Sequence, residues 1–400
     1  MATAFAVFCA TDGSLTFYNR DTVPSVGDTF EGKAVSNVYT GFENRAYDYQ
    51  AVPWYNKITS ITGVYFMDEF AAVKPVSTRY WFDAATNMTL CNLKNLDTSN
   101  VTDMNNMFRG CTSLTTIHIS GLDTSNVTSM ASMFNRCTSL TTVDLSGLDT
   151  SNVKDMNNMF RECTSLTTVD LSGLDTSNVT SMAVMFYMCP SLTTVDLSGL
   201  DTSNVKDMNN MFRGCTSLTT ADLSGLDASN VNNMSLMFYM CPSLTTVDLS
   251  GLDTSNVTSM NDMFRDCTAL TTIYVSEHLS THSVTNSTNM FLSCTSLVGA
   301  VPYDSTKTDA SMANYETGYF TYKFYADYLK DRFVLDGSEL NAIAESVRKL
   351  TGSKDGMTPT QMVEALNNIT VAATDDGSGN VVIDMGGVTT TCIDGNVVIS

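Results

Sequence analysis

The chain has 400 residues, of which 21 are basic and 42 acidic, so its formal net charge is -21, and 43% of its residues are hydrophobic. This hydrophobic content is sufficient for sizeable buried cores and excludes a disordered tail. The negative charge repels phosphate backbones and anionic membrane surfaces, so nucleic acid is not an expected partner.

The N-terminus carries no recognisable export signal. The first residues, MATAFAVFCATDGS, lack a basic segment and have too short an apolar run for a signal peptide. An apolar run of about 18 residues is also missing from the rest of the chain. We therefore expect neither a signal peptide nor insertion into a membrane.

Residues 1–80 have the pattern of a small β-rich capping domain. Runs such as SLTFYNR and ITSITGVYF read as strands, and Asp12-Gly13 marks a turn. Such a domain would cover the first edge of the sheet that follows it in the chain.

Residues 81–323 are dominated by a 26-residue repeat. In LTTVDLSGL, Leu140, Val143 and Leu145 are apolar with polar neighbours between them, which predicts a short strand. In SNVTSMASMFNRC the apolar residues follow at intervals of three and four, which predicts a short helix. A strand and a helix in 26 residues indicate an α/β solenoid of leucine-rich-repeat coils, with parallel strands about 4.8 Å apart and atypical coils at both ends. Coils 1 to 7 begin at Leu96, Leu122, Leu148, Leu174, Leu200, Leu226 and Leu252, and a degraded eighth coil begins at Leu279.

One cysteine in each coil falls on the apolar stripe, so we interpret it as a small core residue. Metal binding would require a CxxC pair or converging ligands, and the repeats contain neither. Disulfides between neighbouring coils are allowed by distance, although parallel side-chain directions and the missing export signal favour free thiols. One asparagine per coil forms a second ladder that would satisfy backbone groups. The cysteines are Cys111, Cys137, Cys163, Cys189, Cys215, Cys241, Cys267 and Cys294.

The sequence contains no arrangement that supports catalysis. Its histidines, His118, His278 and His282, form no Ser-His-Asp or Cys-His pattern, and the chain has no P-loop, GxGxxG or zinc motif. We therefore expect a protein that is not an enzyme and that requires no cofactor or metal.

An aspartate recurs on the outer side of the predicted strands. A column of carboxylates at this spacing could bind a cation, or its members could raise one another's pKa. Copying of one repeat explains the column equally well, and we prefer that interpretation. The stripe comprises Asp144, Asp170, Asp196, Asp222 and Asp248.

Otherwise near-identical coils differ at the residues that follow each Met-Phe pair, which we expect on the solvent side. Arginine and tyrosine alternate there, which indicates either a stacking ladder of cation–π contacts, the interpretation we prefer, or a recognition patch. Coils 3 and 5 are near-identical, as are coils 4 and 6, which indicates duplication of a two-coil unit. The candidate ligand-binding residues are Arg161, Tyr187, Met188, Arg213, Tyr239, Met240 and Arg265.

The C-terminal part has a different pattern. Residues 324–370 predict a helical hairpin, because Asp336 and Glu339 offer a capping box and Thr358-Pro359-Thr360-Gln361 offers a second helix start. Residues 371–400 are a run of short apolar segments separated by glycines, which predicts short strands.

The repeat LDTSNVTSMASMFNRCTSLTTVDLSG resembles the BspA-type leucine-rich repeat of bacterial surface proteins and of some phage and prophage genes. The resemblance covers Trp81 to about Val301 and implies non-enzymatic binding to host-cell or extracellular ligands. The segment LNAIAESVRKLTGSKDGMTPTQMVEALNNI is similar to a helical hairpin of phage tail and other phage structural proteins.

These resemblances lead to a functional prediction. We expect a phage or prophage tail-associated protein that recognises a bacterial cell-surface receptor, protein or glycan, through the solenoid. The C-terminal module would attach to other phage tail proteins, which places the protein in the virion after cytoplasmic assembly, and analogy with tail fibres suggests a homotrimer. The alternatives are a BspA-like adhesin on the bacterial cell surface and an intracellular protein-binding scaffold.

Overall fold

A computed structural model describes residues 2–323 and the backbone of four short strands closer to the C-terminus. The first part is a five-stranded sheet in the order β5-β1-β2-β6-β7, with the hairpin β3–β4 beside it. The strands are β1 (Thr3–Cys9), β2 (Ser14–Arg20), β3 (Thr29–Phe30), β4 (Lys33–Ala34), β5 (Asn37–Thr40), β6 (Gly63–Phe66) and β7 (Leu90–Asn92).

The N-terminal sheet has an apolar surface on both faces. One face, which includes Phe8 and Phe17, is continuous with the core of the repeats and contains the buried Trp54 and Trp81. The strand β7 lies in the atypical first repeat and pairs in parallel with β6. The N-terminal region therefore extends the sheet of the solenoid and protects its first edge by pairing with it.

The repeats stack as a parallel solenoid. A second sheet has the order β11-β10-β9-β8, and all its pairs are parallel. In the coils before it, strand pairing is reduced to single bonds, such as that from Thr167 N–H to the Thr141 carbonyl (3.4 Å). The predicted strand is thus present in the last coils and reduced in the middle ones. The strands are β8 (Thr220–Asp222), β9 (Thr246–Asp248), β10 (Thr272–Val275) and β11 (Thr321–Tyr322).

The predicted short helix of each coil is wrong, because this segment is a chain of turns and residues 2–323 contain no α-helix. In coil 2 the Met133 N–H donates to the Met130 carbonyl (3.2 Å), whereas the Ser132 N–H donates to the Asn157 carbonyl of the next coil (2.8 Å). Alternate N–H groups thus point along the solenoid, whereas an α-helix would bond all of them internally. Ser132 and Arg136 also have positive φ values, 58° and 62°, which are incompatible with an α-helix.

The core of the solenoid consists of stacked ladders of identical side chains. Buried phenylalanines stack from Phe82 to Phe291, with ring centroids 5.5 to 5.8 Å apart. The predicted asparagine ladder is confirmed in coils 2 to 7, where, for example, the Asn126 amide donates to the Ser99 carbonyl of the preceding coil (2.8 Å). One continuous core therefore runs through the repeats.

The described parts of the C-terminal region are four strands in an antiparallel sheet, in the order β12-β13-β14-β15. They fall within the segment 371–400, for which the sequence predicts short strands. The predicted helical hairpin at residues 324–370 lies outside the described residues. The strands are β12 (Ala372–Asp375), β13 (Val381–Asp384), β14 (Thr389–Ile393) and β15 (Asn396–Ile399).

Residues 2–323 contain three 3-10 helices, at Tyr55–Ser60, Asp68–Ala72 and Ala310–Met312.

Candidate functional site: an arginine–tyrosine ladder

Three arginines and two tyrosines of coils 3 to 7 form one continuous stack, which we call the Arg–Tyr ladder. The Arg161 guanidinium carbon lies 5.0 Å from the Tyr187 ring centroid, and Arg265 lies 5.2 Å from Tyr239. Arg213 lies between both rings, at 5.3 Å from Tyr187 and 4.8 Å from Tyr239. These distances are typical of cation–π contacts. The predicted stacking ladder is confirmed, and its use as a ligand-binding surface stays a prediction.

The buried core sets the spacing of the ladder. Each ladder residue directly follows the phenylalanine of its coil, and the Phe160 and Phe186 rings stack 5.6 Å apart. Because the backbone at each ladder position is also bonded from coil to coil, as from the Glu162 N–H to the Tyr187 carbonyl (2.7 Å), adjacent side chains are held at stacking distance. The ladder is therefore preorganised by the solenoid.

The arginines of the ladder differ in their acidic partners. Arg161 pairs with Glu162 at 2.9 Å, and Arg265 pairs with Asp262 at 3.1 Å. Among residues 2–323, no carboxylate lies within ion-pair distance of Arg213. The centre of the ladder thus carries a positive charge that the rings contact but no described carboxylate neutralises.

Apolar side chains flank the two tyrosines. Met188 and Met240 are both 42% exposed, so each tyrosine has an exposed apolar neighbour. Val184 and Leu236, three residues before the tyrosines, are half-buried. All the candidate ligand-binding residues therefore lie on one surface of the turn segments, which we call the turn face.

The predicted aspartate stripe lies on the strands, where its carboxylates are engaged in local turns. The Asp144 carboxylate accepts hydrogen bonds from the Ser146 N–H (3.0 Å) and hydroxyl (2.6 Å). These bonds lower the pKa of Asp144, and equivalent bonds lower the pKa values of Asp170 and Asp196. Asp248 is buried and bonds to Lys323, a residue of the terminal cap.

The Asp248 carboxylate also accepts a hydrogen bond from the Ser250 N–H (2.9 Å) and so supports a turn. The Asp222 carboxylate likewise accepts a hydrogen bond from the Ser224 N–H (2.9 Å). Within the described part of the chain, no group of three or more histidine, cysteine or acidic residues could hold a metal ion.

The cysteine ladder is buried, and all ten cysteines of residues 2–323 are free thiols. The Cys189 Sγ–H donates to the Phe160 carbonyl of the preceding coil at 3.0 Å, and the other ladder cysteines make the equivalent bond. Burial raises the pKa of Cys189 to about 12 and that of Cys163 well above its usual value. A raised pKa suppresses the nucleophilic thiolate, so the prediction of core thiols is confirmed.

Sequence reasoning missed a second arginine–tyrosine contact at the start of the solenoid. Arg109 of coil 1 lies 4.9 Å from the ring centroid of Tyr49, which is half exposed. Its guanidinium donates two hydrogen bonds to the buried Asp83 carboxylate (2.7 and 2.9 Å). Asp83 lies 26 residues before Arg109, so the repeat spacing could have indicated this pair. Tyr49 lies outside the repeats and gave no such signal.

A groove of about 390 Å³ was also not predicted. Leu90 and Lys94 from the first atypical repeat line it, together with His118 and Leu122. Leu90 is 48% exposed, so the groove has an apolar rim. It involves none of the candidate ligand-binding residues.

The described residues contain no helix that is long and apolar enough to cross a membrane.

The fold and the ladder together define a class of architecture, a repeat solenoid with parallel strands, stacked cores and a coil-specific surface. The chain belongs to the family described as "Mycoplasma protein of unknown function, DUF285". That family matches residues 76–195, 166–277 and 189–302, which together span more than half of the chain. No curated protein matches the chain.

Several solved structures resemble the chain. A leucine-rich repeat protein from Bacteroides ovatus is 18% identical, covers 76% of this chain and 82% of its own, and has a TM-score of 0.36. A leucine-rich repeat protein from Eubacterium ventriosum is 13% identical, with coverages of 72% and 92% and a TM-score of 0.23. The functional domain of InlJ from Listeria monocytogenes, which includes a cysteine ladder, is 16% identical, with coverages of 55% and 49% and a TM-score of 0.20.

Proposed function

We propose that this protein is a non-enzymatic binding protein that recognises a bacterial surface ligand through the turn face of its solenoid. The observation that supports the proposal is the contrast between a constant core and a variable surface. Coils 4 and 5 share the buried Met-Phe pair and the buried cysteine. Between the phenylalanine and the cysteine, coil 4 carries Tyr187-Met188 and coil 5 carries Arg213-Gly214. A rigid repeat scaffold with coil-specific surface residues suits ligand recognition, and Tyr, Met and Arg are enriched in interfaces.

For the biological setting we propose a phage or prophage tail, in which the C-terminal module attaches to other tail proteins. The support is the sequence similarity of residues 340–369 to phage structural proteins. A bacterial surface adhesin is the second candidate, because the repeats also resemble those of bacterial surface proteins. Antibody labelling of induced phage particles and of intact cells separates the two, since a tail protein labels the particles and an adhesin labels the cell envelope.

Binding of the fluorescently labelled full-length protein to intact bacterial cells, measured by flow cytometry, tests the role of the turn face. Replacing both tyrosines by asparagine, Tyr187→Asn with Tyr239→Asn, should abolish binding. Asn135 occupies the same position in coil 2, so the fold accommodates the change. The matched control on the strands, Asp170→Asn with Asp196→Asn, should bind like the wild type.

If the aspartate double variant lost binding and the tyrosine double variant kept it, recognition would be assigned to the aspartate stripe on the strands. Absence of wild-type binding to every strain of a broad panel would contradict a surface-binding function.

A further inference from the structure

Two turn residues in each coil have a left-handed backbone. At the first of these positions most coils carry Asn, Asp or Ser, which adopt positive φ more readily than other residues with a side chain. Coils 4 and 6 instead carry Val184 (φ 63°) and Leu236 (φ 59°). The first positions are Asn106, Ser132, Asn158, Val184, Asn210, Leu236, Asp262 and Asn289, and the second are Gly110, Arg136, Glu162, Met188, Gly214, Met240, Asp266 and Ser293.

The apolar residues at these positions are unfavourable for the backbone. A β-branched or bulky residue at positive φ is a steric outlier, and the neighbouring coils show that Asn158 and Asn210 fit the same turn. The methionines at the second position are exposed as well, which gives no folding advantage. Coils 4 and 6 thus combine unfavourable backbone choices with exposed apolar surface on both sides of the tyrosines.

Coil 5, which lies between coils 4 and 6, presents the edge of the Arg213 guanidinium on the turn face. The Arg213 guanidinium lies between the rings of Tyr187 and Tyr239, and within residues 2–323 its side chain donates a single hydrogen bond, to the Asn210 side-chain oxygen at 3.2 Å. Neither tyrosine hydroxyl has a hydrogen-bond partner within residues 2–323. Gly214 leaves room for the Met188 thioether, because a Cβ there would collide with it. The outer surface therefore combines hydrogen-bond donors with methionine side chains.

We propose that Tyr187, Met188, Arg213, Tyr239 and Met240 form a docking centre for a protein segment that carries a carboxylate beside apolar side chains. This inference rests on the proposed binding function and specifies its partner. The guanidinium edge presents paired N–H donors that match a carboxylate, and methionines adapt to apolar partners. A sugar ring is a poorer occupant, because Arg213 and its neighbouring arginines already cover both faces of each tyrosine ring.

The first test is a selection of short random peptides, displayed on yeast, against the full-length protein. Enriched peptides should carry Asp or Glu next to apolar residues. Titration of a synthetic copy should show that Arg213→Gln weakens binding about tenfold or more. The matched variant Arg136→Gln in coil 2, which removes an exposed guanidinium outside the ladder that is already paired with Glu162, should change affinity by about twofold or less. A selection without acidic enrichment, or without any peptide that depends on Arg213, overturns the inference.

The second test exchanges the unusual turn residues for those of coil 5, in the variant V184N/M188G/L236N/M240G. Because Asn210 and Gly214 occupy these backbone positions naturally, the variant should melt at or above the wild-type temperature and yet lose the selected peptides. A lower melting temperature, or unchanged peptide binding, overturns the inference.

The two proposals fail in different ways. Cell binding that is lost with the tyrosine double variant but unaffected by Arg213→Gln would leave the proposed function intact and refute only this partner chemistry.

Discussion

Removal of one ring from the phenylalanine ladder should open the solenoid locally. Phe186 is fully buried, and its ring stacks on Phe160 and Phe212 at 5.6 Å on each side. A buried Phe→Ala change costs about 3–5 kcal/mol, and the loss of two ring contacts worth about 0.5–1.5 kcal/mol each places Phe186→Ala near the upper end. We therefore expect the free energy of unfolding to fall by about 5 kcal/mol.

Denaturant unfolding and hydrogen exchange of the full chain measure this effect. Because each coil contacts mainly its neighbours, amide protection should fall in coils 3 to 5 and stay high in the N-terminal sheet. The surface variant Tyr187→Asn, in the same coil, should cost about 1 kcal/mol or less. A loss below about 1 kcal/mol for Phe186→Ala, or a uniform loss of protection, would refute the ladder as the source of stability.

Three further outcomes follow from the same geometry. In a Cys392→Ser background, a thiol reagent at pH 8 should label Cys189 and its ladder only after opening, because burial raises the pKa of Cys189 to about 12; rapid labelling of the native protein would contradict this. Hydrogen bonds from Ser146 hold the pKa of Asp144 below its unfolded value of about 3.9, and equivalent bonds lower the pKa values of Asp170 and Asp196. Stability should therefore fall as the pH drops from about 5 to 3, and a constant unfolding midpoint in that range would refute it. Asn178→Ala removes a 2.7 Å bond to the preceding coil and should cost about 1 kcal/mol, whereas a neutral result by denaturant titration would assign the asparagine ladder no structural role.

The sequence alone was sufficient to predict the repeat and its buried positions, because both depend on side-chain polarity. Val143 and Leu145 are buried and Asp144 is exposed, as the alternation predicts. The helix prediction failed because the spacing of apolar residues such as Met130 and Met133 indicates only which side chains are buried. A chain of turns buries residues at the same intervals as a helix, so the spacing does not distinguish the two. Recurring Asn, Asp and Gly at the left-handed positions were the signal that could have corrected it.

The candidate site was predictable to a similar degree. Alternation of arginine and tyrosine at one repeat position predicted the ladder, since equivalent residues of neighbouring coils must lie one strand spacing apart. The ion pairs of Arg161 and Arg265 were not predictable, because Glu162 and Asp262 approach them through local turn geometry. The sequence does show that coil 5 carries Asn210 and Gly214 at the equivalent positions, which have no carboxylate. Tyr49 reaches Arg109 through the N-terminal fold, which no repeat period encodes.

The stacking of unlike residues across coil boundaries has a consequence for how such a chain can change length. No single coil contains a complete arginine–tyrosine contact, so loss or gain of one coil between coils 3 and 7 would set two arginines or two tyrosines against each other. Loss or gain of two coils would preserve the alternation, as the near-identity of coils 3 and 5 and of coils 4 and 6 shows. Insertions and deletions that preserve the arginine–tyrosine surface therefore involve a pair of coils, although the backbone geometry repeats with every single coil.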